Sequence, residues 1–255
     1  MRAVVNGALY TPSRIIPRDG VVLVDDGAIV EVGAAGEVSV PPEAERLDAR
    51  GGIVCPGYVD IHVHGGGGAD ASDGTPEAVR TVARRLAAAG TTAFLPTTAT
   101  APFPDIWRAF DAIGAVMDDR GPGEARALGI HMEGPLFSLQ QVGAHNASLL
   151  RMPTPEERER LLGYAGSLAR VTLAPEREGA MGLIRDLSAR GVLVSGGHSD
   201  ALYGEVCRAM EAGLRHITHL WSSMSLMRRI GPKRHSGMLE AALVEEGLTA
   251  EMIAD

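Results

Sequence analysis

Apolar and polar positions follow two different rhythms along this chain. In residues 1–55, short apolar stretches at 4–5, 21–24 and 29–32 are separated by Asn6-Gly7, Asp19-Gly20 and Asp26-Gly27. Such pairs tolerate the positive φ of tight hairpin turns, so the segment predicts a small antiparallel β unit that also takes in residues 47–54. From Pro56 onward, strand-like runs alternate with segments of helical apolar spacing. Strands are predicted at 58–64, 93–98, 127–133, 170–176, 192–198, 216–221 and 250–255, and helices at 76–89, 102–117, 154–165, 179–190 and 202–212. Gly90, Gly191 and Gly213 each sit just past the last apolar turn of a helix, where a C-cap belongs.

Strands that alternate with helices pair in parallel. Seven such strands, several ending in residues with chemistry to offer, point to a (β/α)8 TIM-type barrel rather than an open sheet. The organisation expected is a small, partial β-sandwich-like domain over 1–55 and a barrel over 56–255. A barrel stopped after its seventh strand would leave two edges of unpaired backbone groups. The eighth strand and the last helices are therefore expected outside this stretch of sequence.

Composition narrows the function classes. With 255 residues, 45% hydrophobic and 22% charged, the chain can bury a substantial core and reads as an ordinary globular protein. A net charge of −8 argues against a nucleic-acid footprint. No run of eighteen apolar residues offers a membrane span, and the opening segment lacks the apolar core and cleavage site of a secretory leader. A cytoplasmic location is the expectation. Cys55 and Cys207 match no disulfide or zinc spacing and are expected to be small buried apolar residues.

The chemistry gathers at predicted strand ends. In Asp60-Ile61-His62-Val63-His64, alternation along a strand sends His62 and His64 to one face, where two imidazoles can grip a divalent ion. The glycines of 65–68 follow and let the backbone pass close to a ligand. Glu133 ends the third strand at a Gly-Pro turn, which puts a carboxylate at the barrel mouth as a metal ligand or a salt-bridge partner. His198 ends the fifth strand and His219 the sixth; His216 has the opposite parity to His219, so a regular strand aims only one of them inward, and His219 is the choice. His62, His64, Glu133, His198 and His219 would then converge at one rim. Neutral imidazoles with a carboxylate suit zinc or iron better than magnesium.

The segment from Gly57 to Gly65 resembles the first-strand motif of the amidohydrolase superfamily. His131-Met132-Glu133-Gly134-Pro135, Gly143-Ala144-His145-Asn146, Val171-Thr172-Leu173-Ala174-Pro175-Glu176, Gly197-His198-Ser199 and Thr218-His219-Leu220 together resemble one member family, the N-acetylglucosamine-6-phosphate deacetylases. The resemblance runs from about Gly51 to Asp255 and implies hydrolysis of the acetamide of an amino-sugar phosphate, a small-molecule partner, and a homodimer at full length. It implies Glu133, His198 and His219 as the principal metal ligands, His62 and His64 as a second metal position, and so one or two ions per chain. It also implies His145, with Ala144 beside it, as a substrate contact that polarises the acetyl carbonyl; the residues alone leave His145 a loop histidine without a role.

Two departures from the family pattern stand out. Where the family shows an aromatic and then Asn-Ala-Met, this chain has Trp221-Ser222-Ser223-Met224, leaving Ser222 and Ser223 as candidate contacts for the sugar or phosphate. The phosphate-binding arginine is displaced within 227–237, where Arg229 and Arg234 are candidates and plain surface charge is the alternative. The family's acid/base aspartate is expected at the end of the eighth strand, and Asp255 is read instead as a strand-end residue, so the chain as given is expected to be nearly inactive even if it binds metal. The competing expectations are an amidohydrolase for N-acyl amino acids or cyclic amides, and an inactive fragment or non-catalytic barrel kept for binding or regulation.

Overall fold

A computed structural model describes residues 1–253 and divides the chain into two compact units, Met1–Tyr58 and Val59–Asp255. In the first unit, β1 (Arg2–Tyr10), β2 (Ile15–Asp25) and β3 (Ala28–Ala34) pair antiparallel in the order β3-β2-β1. The short strands β4 (Glu45–Asp48) and β5 (Ile53–Val54) then add to β1 in parallel, which makes a mixed five-stranded sheet. Ala3, Val21, Leu23 and Val38 form its small core. Of the three predicted turns, Asp26-Gly27 is one, linking β2 to β3. Asn6-Gly7 and Asp19-Gly20 lie within strands, where Gly7 pairs with Gly20 amid register shifts, and Asn6 and Asp19 take φ of +58° and +51°. The same tolerance of positive φ serves a β-bulge there instead of a reversal. Gly20 has a second reason to be glycine, because a Cβ would run into the Leu9 side chain.

The second unit is a TIM-type barrel segment. Its strands are β6 (Tyr58–Val63), β7 (Thr91–Thr98), β8 (Ile130–Glu133), β9 (Leu168–Leu173), β10 (Leu193–Gly196), β11 (Leu214–Ile217) and β12 (Thr249–Ala250), hydrogen-bonded in that order. The pairings from β7 to β12 are all parallel. The predicted strand over 127–133 is broken in two, with Arg126–Ala127 pairing separately on β7. The helices are α1 (Pro76–Ala88), α2 (Phe103–Asp118), α3 (Pro155–Gly163), α4 (Ala180–Ala189), α5 (Tyr203–Ala212) and α6 (Met238–Val244); the pattern had predicted the first five. Thr75 and Thr154 cap α1 and α3 through their side chains, and Gly90, Gly191 and Gly213 follow their helices at positive φ.

Alternation sorts the barrel's side chains. Met132, Val171, Leu173, Val194 and Ile217 pack with Phe103, Ile106, Phe110, Ile184 and Val206 of the helices in one apolar core. The intervening residues His131, Glu133, Arg170, Thr172 and Ser195 are buried and polar. They bond one another across the strands: His131 Nε2 to Thr172 Oγ1 at 2.8 Å, Thr172 Oγ1 to Thr218 Oγ1 at 2.8 Å, and Ser195 Oγ to Thr218 Oγ1 at 2.6 Å. The barrel axis is thus filled by a hydrogen-bonded network that leads to the strand ends. Two expectations are corrected. Cys55 is exposed and Cys207 half-buried, so neither is a core residue. The last two predicted strands also differ: β11 stops at Ile217 because the chain turns into left-handed backbone at His219, and β12 covers only Thr249–Ala250. Asp255 lies outside the described residues. Among the described residues, no helix is long and apolar enough to cross a membrane.

Candidate metal centre

Glu133 is 1% exposed at the end of β8, and four imidazoles surround it. Its Oε2 lies 3.2 Å from His62 Nε2 and 2.9 Å from His64 Nε2; its Oε1 lies 3.3 Å from His198 Nε2 and 3.1 Å from His219 Nε2. One carboxylate therefore divides its oxygens between two pairs of histidines. The ligand atoms of His62, His64 and Glu133 all fall within 4.8 Å of one another, and so do those of Glu133, His198 and His219. Such groups could hold a metal ion, and Glu133 is common to both.

Backbone geometry aims the rings. His62 and His64 come off β6 two residues apart, on one face as strand alternation dictates. His198 and His219 lie two residues beyond β10 and β11 at φ of +47° and +31°, a conformation that is strained for a side chain with a Cβ. The parity argument assumed a regular strand through His219, whereas His219 reaches the centre as a left-handed residue past the strand's end. His216 stays on β11, buried, with Nδ1 bonded to Thr249 Oγ1 at 2.7 Å. Gly143 passes so near His198 and Ser223 that a Cβ there would press on both.

Second partners fix the tautomers. His198 Nδ1 donates to the Gln141 carbonyl at 2.9 Å and His219 Nδ1 to the Ser222 carbonyl at 3.1 Å. Each neutral ring must then present the lone pair of Nε2, and those two nitrogens lie 3.0 Å apart beside the Glu133 carboxylate. Two lone pairs and an anion converge on one point, an arrangement that a shared cation satisfies. The donor set fits a divalent metal.

Electrostatics agree with this reading. Burial alone would raise the Glu133 carboxyl, but the hydrogen bonds from His198, His219, His62 and His64 hold it far below the usual carboxylate range. Burial opposes a charge on His62 as well, yet the Glu133 and Glu251 carboxylates outweigh it and push the imidazole up to about 9. His145 is lowered to about 4, chiefly by burial. Its Nδ1 accepts the Thr100 backbone N–H at 3.3 Å, so the neutral ring carries its proton on Nε2, 3.8 Å from Glu133 Oε2.

The other predicted residues fall around this centre. Ala144 is exposed beside His145. Ser222 and Ser223 are half-buried; Ser222 contributes its carbonyl to His219, and the Ser223 carbonyl accepts Ser199 N–H at 3.2 Å. Arg229 and Arg234 face each other across a hairpin of Arg228–Ile230 and Lys233–His235, both exposed. Arg228 ties that hairpin to Asp200, two residues past His198, at 2.5 Å. Sequence reasoning missed Glu251 and Arg170. Arg170 Nη1 donates to Glu251 Oε2 at 2.6 Å, while Glu251 Oε1 accepts His62 Nδ1 at 2.7 Å. The one available signal was a carboxylate at the end of a barrel strand, the argument used for Glu133 but not for Glu251.

Fold and centre together define a TIM-type barrel segment whose strand ends carry a cluster of side chains able to hold a metal ion. The sequence model of the amidohydrolase family matches residues 53–235, and the chain belongs to that family. Among curated relatives it is 36% identical over 217 residues to the N-acetylgalactosamine-6-phosphate deacetylase of Escherichia coli O157:H7, covering 85% of this chain and 56% of the relative. It is 36% identical over 239 residues to the N-acetylglucosamine-6-phosphate deacetylase of Vibrio furnissii, covering 93% and 58%. Among solved structures, the N-acetylglucosamine-6-phosphate deacetylase of Pasteurella multocida superposes with a TM-score of 0.88 at 28% identity, over 100% of this chain and 64% of that one. The chain thus spans about half the length of the curated relatives it matches.

Proposed function

We propose that the protein hydrolyses the acetamide of an N-acetylhexosamine 6-phosphate at a metal centre built on Glu133, with N-acetylglucosamine-6-phosphate as the first substrate to test. The observation that carries this reading is the division of the Glu133 oxygens between His62–His64 and His198–His219. The names of the relatives support the substrate class, and they differ in the sugar. His62, His64, Glu133, His198 and His219 would hold one or two ions of zinc or iron. A divalent ion held there would lower the pKa of a bound water toward about 7 and would polarise a carbonyl.

The chain's own residues supply orientation and donors. Neutral His145 points its Nε2–H into the centre and donates to an acetyl oxygen, where charge builds as the amide is attacked. Ser222 and Ser223, beside the loop that carries Ala144 and His145, offer hydroxyls to the sugar. Arg229 and Arg234 stand directly opposed on their hairpin, and among the described residues neither has an ion-pair partner. Opposed like charges destabilise a hairpin; a phosphate between them would remove that cost.

The test is metal analysis followed by calorimetric binding of N-acetylglucosamine-6-phosphate and its galactosamine epimer, with acetate release measured alongside. N-acyl amino acids serve as the competing substrates. Metal retained near stoichiometry and sugar phosphate bound in preference to N-acyl amino acids are expected. Protein that takes up no zinc or iron after dialysis would sink the proposal.

A further inference from the structure

We propose that Glu251, anchored by Arg170, is the positioning residue for His62, and that an ion on the His62–His64–Glu133 side of the centre depends on it. This rests on the metal-centre reading above. The two sides of the centre are supported differently. His198 and His219 have their Nδ1 atoms tied to backbone carbonyls, of Gln141 and Ser222. A side-chain substitution does not remove those acceptors. On the other side, His64 Nδ1 is buried without a hydrogen-bond partner among the described residues. His62 alone has its outer nitrogen held, and a side-chain carboxylate holds it, at 2.7 Å.

Glu251 is itself fixed from several directions. It is 8% exposed just after β12 and accepts from the almost completely buried Arg170 at 2.6 Å. Its Oε1 also accepts the His219 backbone N–H at 3.1 Å, and its own N–H donates to the Ile217 carbonyl at 3.1 Å. Arg170 is steadied in turn by donating Nη2 to the Ile61 carbonyl at 3.1 Å and to His131 Nδ1 at 2.8 Å. Arg170, Glu251, His62 and Glu133 therefore form one continuous chain of polar contacts ending on the shared carboxylate. A carboxylate on the outer nitrogen of a ligand imidazole fixes its tautomer, sets the ring plane and raises its basicity; losing such a partner typically weakens metal binding by about 10–100-fold. Here that loss would fall on one side of the centre.

The experiment compares zinc titrations of chelator-stripped wild type and Glu251→Gln against a chromophoric competitor, with ions counted after desalting. Wild type is expected to hold two zinc ions. The variant is expected to keep the first at wild-type affinity and to bind the second about 10–100-fold more weakly. Retention of the first ion shows in the same sample that the barrel mouth is folded. A second variant, Arg170→Met with Glu251→Leu, replaces the buried pair with apolar side chains, a kind of change that is often neutral or stabilising. It should melt cooperatively and show the same selective loss. Two ions held by Glu251→Gln within about threefold of wild type, both affinities falling together, or a wild type that binds a single ion would each overturn the proposal. A wild type that binds none would instead remove the metal centre itself.

Discussion

Glu133 is the residue on which the centre turns, because removing it separates both pairs of histidines from their common anion. Glu133→Gln keeps the shape and loses the charge, and zinc affinity should drop by more than the roughly 100-fold that a supporting partner is worth; competition with a chromophoric chelator measures it. Unchanged affinity would show that the histidines bind without it. His62 gives the pH dependence. In metal-stripped protein its imidazole is raised to about 9, so at pH 7 it carries a proton that an incoming ion must displace. Zinc binding at pH 7 should therefore release a proton, and affinity should climb with pH and level off near 9. Calorimetry in buffers of different ionisation heat reads that proton, and His62→Asn should abolish it. The same raised value makes charged His62 a stabilising group in stripped protein below pH 6.5, an effect lost as pH rises through about 9. At this scale the sequence was readable where chemistry is local. His-x-His on a strand and a carboxylate before Gly-Pro announce themselves, whereas Glu251 becomes meaningful only once folding brings it from 189 positions away to His62.

At the scale of elements, the strand–helix rhythm was legible because apolar periodicity reports burial, and burial is what these strands and helices share. Where periodicity gave way to backbone strain, legibility stopped. The segment after β11 was read as continuing strand, yet His219, Trp221 and Ser223 all take positive φ. The Asn-Gly and Asp-Gly pairs of the first unit were read as three turns, though two of them form a bulge. Positive-φ tolerance names the conformation without naming the element that uses it. The strain at His198 is testable in metal-free protein. His198→Gly should be more stable than His198→Ala by about 1 kcal/mol, because only glycine adopts φ of +47° without penalty. Urea unfolding decides between them. Equal stabilities would mean that the left-handed turn relaxes once the imidazole is gone.

At the scale of the whole molecule, metal and fold should be linked. An ion that binds only the folded barrel adds about 3 kcal/mol when free metal is a hundredfold above Kd. Chelation should then lower the barrel's melting temperature by roughly 6–12 °C, given about 2–4 °C per kcal/mol for a unit of this size. Calorimetric scans with and without chelator check it, and in Glu133→Gln the difference between the two scans should shrink. The polar filling of the barrel has a consequence for how such a protein can change over time. His131, Thr172, Thr218 and Ser195 satisfy one another in series, so altering any one strands its neighbour without a partner. Substitutions along this line should be strongly epistatic, harmful singly and neutral in compensating pairs, and lineages that drift here should do so in concerted blocks.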